Sequence, residues 1–153
     1  MPADYAADFL SQISVREAAT YQVVSLEAGL TLGEVRSRIA QGLSESTHHG
    51  FPVVDKERGL IGLVSQRALL NPGEPASKRV GDLVIGACAV VFEDNSLREA
   101  SDLMVREGLG RLPVVKRENP REVVAILSGS DIRKANRQRL DEAHQAEQTI
   151  RWR

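Results

Sequence analysis

The chain says nearly the same thing twice, and this repetition restricts its fold more than any other feature. The first half reads Val23-Val24-Ser25-Leu26, then LTLGEVRSRIA from Leu30, GFPVVD from Gly50 and LIGLVSQRALL from Leu60. The second half reads Ala89-Val90-Val91-Phe92, then SLREASDLMV from Ser96, GRLPVV from Gly110 and VVAILSGSDIRKA from Val123. Pro52 aligns with Pro113 and Ser65 with Ser128, an offset of about sixty residues that is longer than a solenoid repeat. Two copies of a small unit are expected, not an array.

Both copies share one grammar. A short β-rich run comes first, then a helix opened by a capping box: Thr31 with Glu34, and Ser96 with Glu99. The apolar helix faces keep the helical period, through Leu32, Val35 and Ile39 in one copy and Leu97, Ala100 and Met104 in the other. Two further β-rich runs follow, separated by the polar turns Asp55-Lys56-Glu57-Arg58-Gly59 and 116–121. A last helix starts after Ser65 or Ser128. The unit is β-α-β-β-α, and neither copy has enough apolar surface to stand alone. An α/β (α+β) fold results, with two units packed through their sheets and helices outside. Val54 and Ile126 are expected in the buried layer.

The boundaries read as a lead-in at 1–14, a first unit at 15–75, a linker at 76–82, a second unit at 83–137 and a helical tail at 138–153. Phe9, Leu10 and Ile13 suit a short helix against the core. The tail is mixed in charge and weakly amphipathic through Leu140 and Ile150, as in solvated or dimer-packing helices. Composition narrows the partners. With 20 basic and 21 acidic side chains the net charge is −1, so no global basic field attracts nucleic acid or anionic membrane. Aromatic residues, at 4%, are too few for a base-stacking platform. No apolar run is long enough for a membrane span, and Asp4 and Asp8 stand where a secretory signal needs positive charge. The single Cys88 precludes an internal disulfide and fits a reducing, cytoplasmic setting; its apolar run reads as core.

With its two Gly-x-Pro-Val-Val-type strands and a terminal Ser opening each last helix, the chain resembles a tandem pair of cystathionine-β-synthase (CBS) domains, a Bateman module. The resemblance covers about Val15 to Arg137. It implies a regulatory sensor that binds an adenine nucleotide (ATP, ADP or AMP) between the two sheets, and commonly a homodimer. A narrower similarity links SESTHHGFPVVD and ILSGSDIRKANRQRLDEAHQAEQ to the cytoplasmic tails of ClC chloride channels and transporters. That similarity implies a membrane channel or transporter as partner.

The resemblance places the nucleotide's ribose on Asp131, in the motif Ser128-Gly129-Ser130-Asp131. Two readings fit this spacing. An ionised carboxylate bonds hydroxyls more strongly than a neutral acceptor, and free N–H groups at the helix start suit phosphate. Equally, Ser128 and Asp131 form an ordinary helix cap. The first copy has Ala68 in the carboxylate's place, so a single ribose site per module is expected. Arg67 there reads as a solvated surface residue. Across the pseudo-twofold, the loop Thr47-His48-His49-Gly50 should face Asp131, with His48, His49 and Gly50 near the base and Val23 and Val24 as its wall. ClC relatives commonly carry an aromatic and a small hydroxyl residue at the positions of the two histidines.

Other motifs read as structure. Adjacent His48 and His49 face opposite ways on a strand and His144 is remote, so no metal site is expected. Asp141-Glu142-Ala143-His144 spells a helicase box, without the phosphate loop that chemistry needs. Arg133, Lys134, Arg137 and Arg139 are offset by neighbouring acids and suit a solvated helix. No coherent acid, base and nucleophile set exists, so an enzyme is not expected. The readings left are a nucleotide sensor and a nucleotide-independent structural dimerisation module. Leu69, Leu70 and Met104 are candidates for the dimer face.

Overall fold

The computed structural model describes residues 9–42, 50–84 and 88–151, with side chains to residue 147. After a helical turn at 9–12, the elements are α1 (Val15–Ala18), β1 (Leu26–Glu27), α2 (Leu32–Ala40), β2 (Phe51–Asp55), β3 (Gly59–Val64) and α3 (Gln66–Leu69). A 3-10 turn (Val80–Leu83) leads to β4 (Val91–Phe92), α4 (Leu97–Glu107), β5 (Arg111–Lys116), β6 (Asn119–Ser128) and α5 (Gly129–Arg151).

Each repeat builds one three-stranded sheet, ordered β1-β2-β3 and β4-β5-β6. In both, the first strand runs parallel to the second and the second antiparallel to the third. The registers match: Leu26 lies opposite Val53, and Val91 opposite Val114. Both expected capping boxes form. Glu34 and Glu99 donate their backbone N–H to the Thr31 and Ser96 hydroxyls, while their carboxylates accept the cap residues' own N–H groups. The predicted helix faces turn inward, with Leu32, Val35, Leu97, Ala100 and Met104 buried.

The chain order hides an exchange between the two units. Leu97 donates its N–H to the Ile13 carbonyl and Val15 to that of Asn95, both at 2.8 Å. Leu32 and Val80 make the corresponding bonds to Lys78 and Leu30, again at 2.8 Å. Ser14 bridges to Ser96 as Arg79 bridges to Thr31. Ile13 and Val15 are therefore buried with Leu97, Leu112, Val114 and Leu127 in the second unit's core. Val80, inside the segment read as a linker, is buried with Leu32, Phe51 and Val53 in the first. The segment leading into each repeat completes the core of the other.

The sheets meet through β3, β5 and β6. Thr20 and Ile126 exchange both backbone hydrogen bonds, and Arg121 Nε donates to the Arg58 carbonyl across the units. Ile126 is buried as expected, whereas Val54 is only half-buried. The register shifts at Val53/Val54, and such a bulge re-aims the side chain beyond it. The proposed dimer face also needs correction: Leu69 and Met104 are spent on their own cores, and only Leu70 is exposed. Among the described residues, no helix is long and apolar enough to cross a membrane.

Candidate functional site

The Ser-x-x-Asp motif lies where β6 hands over to α5. Strand β6 is buried at its end because Ala125 and Leu127 face the core, and this fixes the position of Ser128. The Ser128 N–H donates to Asp131 Oδ2 at 3.0 Å, and the Asp131 N–H donates to Ser128 Oγ at 3.1 Å. The Thr20 hydroxyl, held beside them by its backbone bonds to Ile126, lies 3.4 Å from both carboxylate oxygens. The carboxylate thus stands at a helix N-terminus, half-buried, with a hydroxyl aimed at it across an interval near the limit of a hydrogen bond.

The first repeat has the same cap without the acid. The Ala68 N–H donates to Ser65 Oγ at 3.1 Å, matching the distance at Asp131. A serine alone can therefore cap such a helix, and Asp131 supplies charge beyond that need. Arg67 is exposed, on a surface hollow with Ala68 and Leu70.

Of the other expected site residues, His48 and His49 lie outside the described residues. Gly50 is buried just ahead of β2 at φ +105°, with the Arg111 guanidinium packed against it. A Cβ at Gly50 would stand 3.1 Å from Arg111 Nη1, so a side chain there would crowd the arginine. Val23 and Val24 run half-buried ahead of β1, Val24 against the first unit's core.

The first copy's cleft, where Ala68 argues against a ribose site, is a second concavity whose other walls the sequence did not name. A pocket of about 380 Å³ opens between β3, Ser65, Val84, Cys88 and Ala89 on one side and Gly108 to Arg111 on the other. Cys88 and Ala89 follow buried Val80 as Val23 and Val24 follow buried Val15, while Leu109 and Gly110 precede their Pro113 strand as His48 and His49 precede theirs. This pocket is thus the internal counterpart of the cleft expected at Asp131. It also corrects the placement of Cys88. The side chain is half-buried on the pocket wall, outside both cores, and burial pushes its thiol pKa up. The repeat itself marks this pocket, because both clefts use equivalent positions of the two copies.

The sequence profile of the CBS domain matches residues 15–72 and 80–137. The chain belongs to the CBS domain family. An uncharacterized protein of Methanocaldococcus jannaschii is 30% identical over 122 residues, covering 78% of this chain and 43% of that protein. This CBS pair therefore spans less than half of that curated relative's length. Among solved structures, the cytosolic domain of the Mg2+ channel MgtE in complex with ATP superposes with a TM-score of 0.68 at 23% identity, covering 85% of this chain and 51% of that one. CBSX2 in complex with AMP gives a TM-score of 0.64 at 23% identity, covering 82% of this chain and 97% of that one. The shared architecture is the paired three-stranded sheets with flanking helices.

Proposed function

We propose that this CBS pair is a regulatory module that binds one adenine nucleotide (ATP, ADP or AMP) with its ribose on Asp131. The observation that carries this reading is the Asp131 carboxylate facing the Thr20 hydroxyl at 3.4 Å from both oxygens. Ribose hydroxyls would take the place of that long contact with shorter, charge-assisted bonds. The start of α5 would face the phosphates, where backbone N–H groups and the helix dipole favour negative charge. Ala68 in the mirror position supports one ribose site rather than two. The complexes of MgtE with ATP and of CBSX2 with AMP support an adenine nucleotide as the ligand class. His48, His49, Gly50, Val23 and Val24 complete the proposed site around the base.

The proposed partner is the membrane part of a transporter, with the module on its cytoplasmic side. The sequence phrases favour a ClC chloride channel, while the MgtE likeness makes a cation transporter the competing class. A homodimer belongs to the same proposal, with Leu70 and with Val105 of α4, which is 81% exposed, as the apolar residues to bury. Sedimentation that finds only monomer at about ten micromolar would remove that part.

Calorimetry with the three nucleotides tests the site. Asp131→Asn should weaken binding by about tenfold and Asp131→Ala by more, since a hydrogen bond to a charged group contributes about 1.5–3 kcal/mol. Both changes also disturb the helix cap, so unliganded melting temperature must be recorded alongside. Ser128→Ala provides the control: it should cost about 1 kcal/mol of stability with a smaller loss of affinity. Absence of heat and of thermal shift with all three nucleotides would leave a structural dimerisation module.

A further inference from the structure

Residues 16–21, which carry the chain from α1 toward β1, are stapled to the second unit at both ends by one residue. Glu93, just past β4, accepts the Arg16 N–H on its backbone carbonyl at 3.0 Å. Its largely buried carboxylate accepts a hydrogen bond from the Tyr21 hydroxyl at 2.6 Å and faces Arg16 Nε at 3.7 Å. Such a bond to a charged acceptor is among the stronger kinds. Burial and the Glu93 carboxylate push the Tyr21 pKa up to about 12, so the phenol stays a donor throughout the neutral range. Between the two staples, Thr20 exchanges both backbone bonds with Ile126, at 2.9 and 3.0 Å, and its hydroxyl spans the two oxygens of Asp131. A β-branched side chain is stiff at χ1, so with its backbone pinned this hydroxyl has little freedom to swing aside.

This strap lies where the proposed ligand must bind. A hydroxyl 3.4 Å from both carboxylate oxygens stands across the space between them, and a ribose diol needs acceptor positions for both of its hydroxyls. We propose that the strap is a built-in competitor for the nucleotide's ribose: Thr20 occupies the Asp131 carboxylate, and the Tyr21–Glu93 bond is the latch that keeps it there. The proposal rests on the nucleotide reading and adds regulation to it, since the affinity of the site is set by how firmly the strap is held. The other copy supports the pairing of strap and acid. Counted from the matching Val15 and Val80, its lead-in has Ile85 and Gly86 in place of Thr20 and Tyr21, and that copy also has Ala68 in place of the carboxylate.

Calorimetry with ATP, ADP and AMP, each beside its dideoxy analogue lacking both ribose hydroxyls, tests the strap. Thr20→Val keeps the β-branched shape and the backbone bonds but removes the competing hydroxyl. It should bind nucleotide about fivefold more tightly than the wild type. Tyr21→Phe should gain about twofold and, made in Thr20→Val, should add nothing, because the latch acts through Thr20. The dideoxy analogues should show none of these gains. Unliganded melting temperature should fall in Tyr21→Phe, and lower stability together with higher affinity is a pairing that a merely structural hydrogen bond does not give. Unchanged or weaker binding by Thr20→Val overturns the proposal; if the wild type still binds and Asp131→Ala weakens it, the nucleotide reading stands alone. A Tyr21→Phe gain that persists in full beside Thr20→Val overturns the latch. Binding by Thr20→Val but not by the wild type would support a strap firm enough to close the site. No binding of any of the three nucleotides by either protein would remove both readings.

Discussion

Gly108 and Gly59 both hold positive φ, and a side chain at each would be costly for different reasons. Gly108 ends α4 in the left-handed region at φ 66°, ψ 35°, with nothing within 4 Å of a Cβ placed there. Alanine at 108 would therefore lose only the conformational preference, about 1–2 kcal/mol, and asparagine less. Gly59 starts β3 at φ +76°, and its Cβ would stand 2.7 Å from Arg121 Cβ and 2.9 Å from the Arg121 carbonyl oxygen. Backbone of the neighbouring unit would have to move. Urea unfolding should show Gly59→Ala losing more than Gly108→Ala, with Gly108→Asn recovering part of the loss and Gly59→Asn recovering none. Equal losses at the two positions would mean that the hairpin tips do not press together as described. The same scale shows where sequence reading fails: Asp131 could be placed at a helix start from spacing alone, but Thr20 beside it, 111 residues away in sequence, could not.

Helices α2 and α4 owe their starts to local chemistry. Glu34 and Glu99 have their pKa held below the usual carboxylate range, chiefly because each accepts the backbone N–H of its cap residue, Thr31 or Ser96. A carboxyl whose folded pKa is lowered stabilises the fold above its unfolded value of 4.5, and that contribution is lost as pH falls through the folded value. Melting temperature should therefore drop on acidification below that value. The double change Glu34→Gln and Glu99→Gln should flatten the drop, while removing a cap outright (Thr31→Ala or Ser96→Ala) should cost about 1 kcal/mol near neutral pH. An unchanged acid limb in the double variant would show that other carboxylates govern it. These elements were legible because a capping box spans four residues and a helix face repeats every three or four. Strands β1 and β4, at two residues each, were legible only as apolar runs, and their hydrogen bonds come from β2 and β5. Val54 was misplaced for the same reason, since a bulge depends on the partner strand and leaves no mark in a simple alternation.

At the scale of the whole molecule, the repeat correctly implied two sheets with helices but concealed how they are joined. Sequence order assigns residues 15–75 to the first unit with 1–14 as a lead-in, yet Ile13 and Val15 are buried in the second; residues 76–82 read as a linker, yet Val80 is buried in the first. Nothing in composition distinguishes a linker that crosses a surface from one that completes a core. The distinction lies in backbone bonds such as Leu97 to Ile13 and Leu32 to Lys78, which join distant segments. The exchange predicts crossed effects. Val15→Ala and Val80→Ala each remove two buried methyl groups and should cost about 2 kcal/mol with the cavity left behind. In native-state hydrogen exchange, Val15→Ala should lower protection mainly at Val114, Ala125 and Leu127, far along the chain, and less at Val53 and Val64. Val80→Ala should do the reverse, loosening Val53 and Val64 although it lies nearer to the second repeat. If each substitution instead weakens the repeat that follows it in sequence, the lead-in segments pack in cis and the exchange is wrong. If it holds, a pull on the chain ahead of residue 13 would load the second unit, the one that carries Asp131 and the proposed nucleotide site.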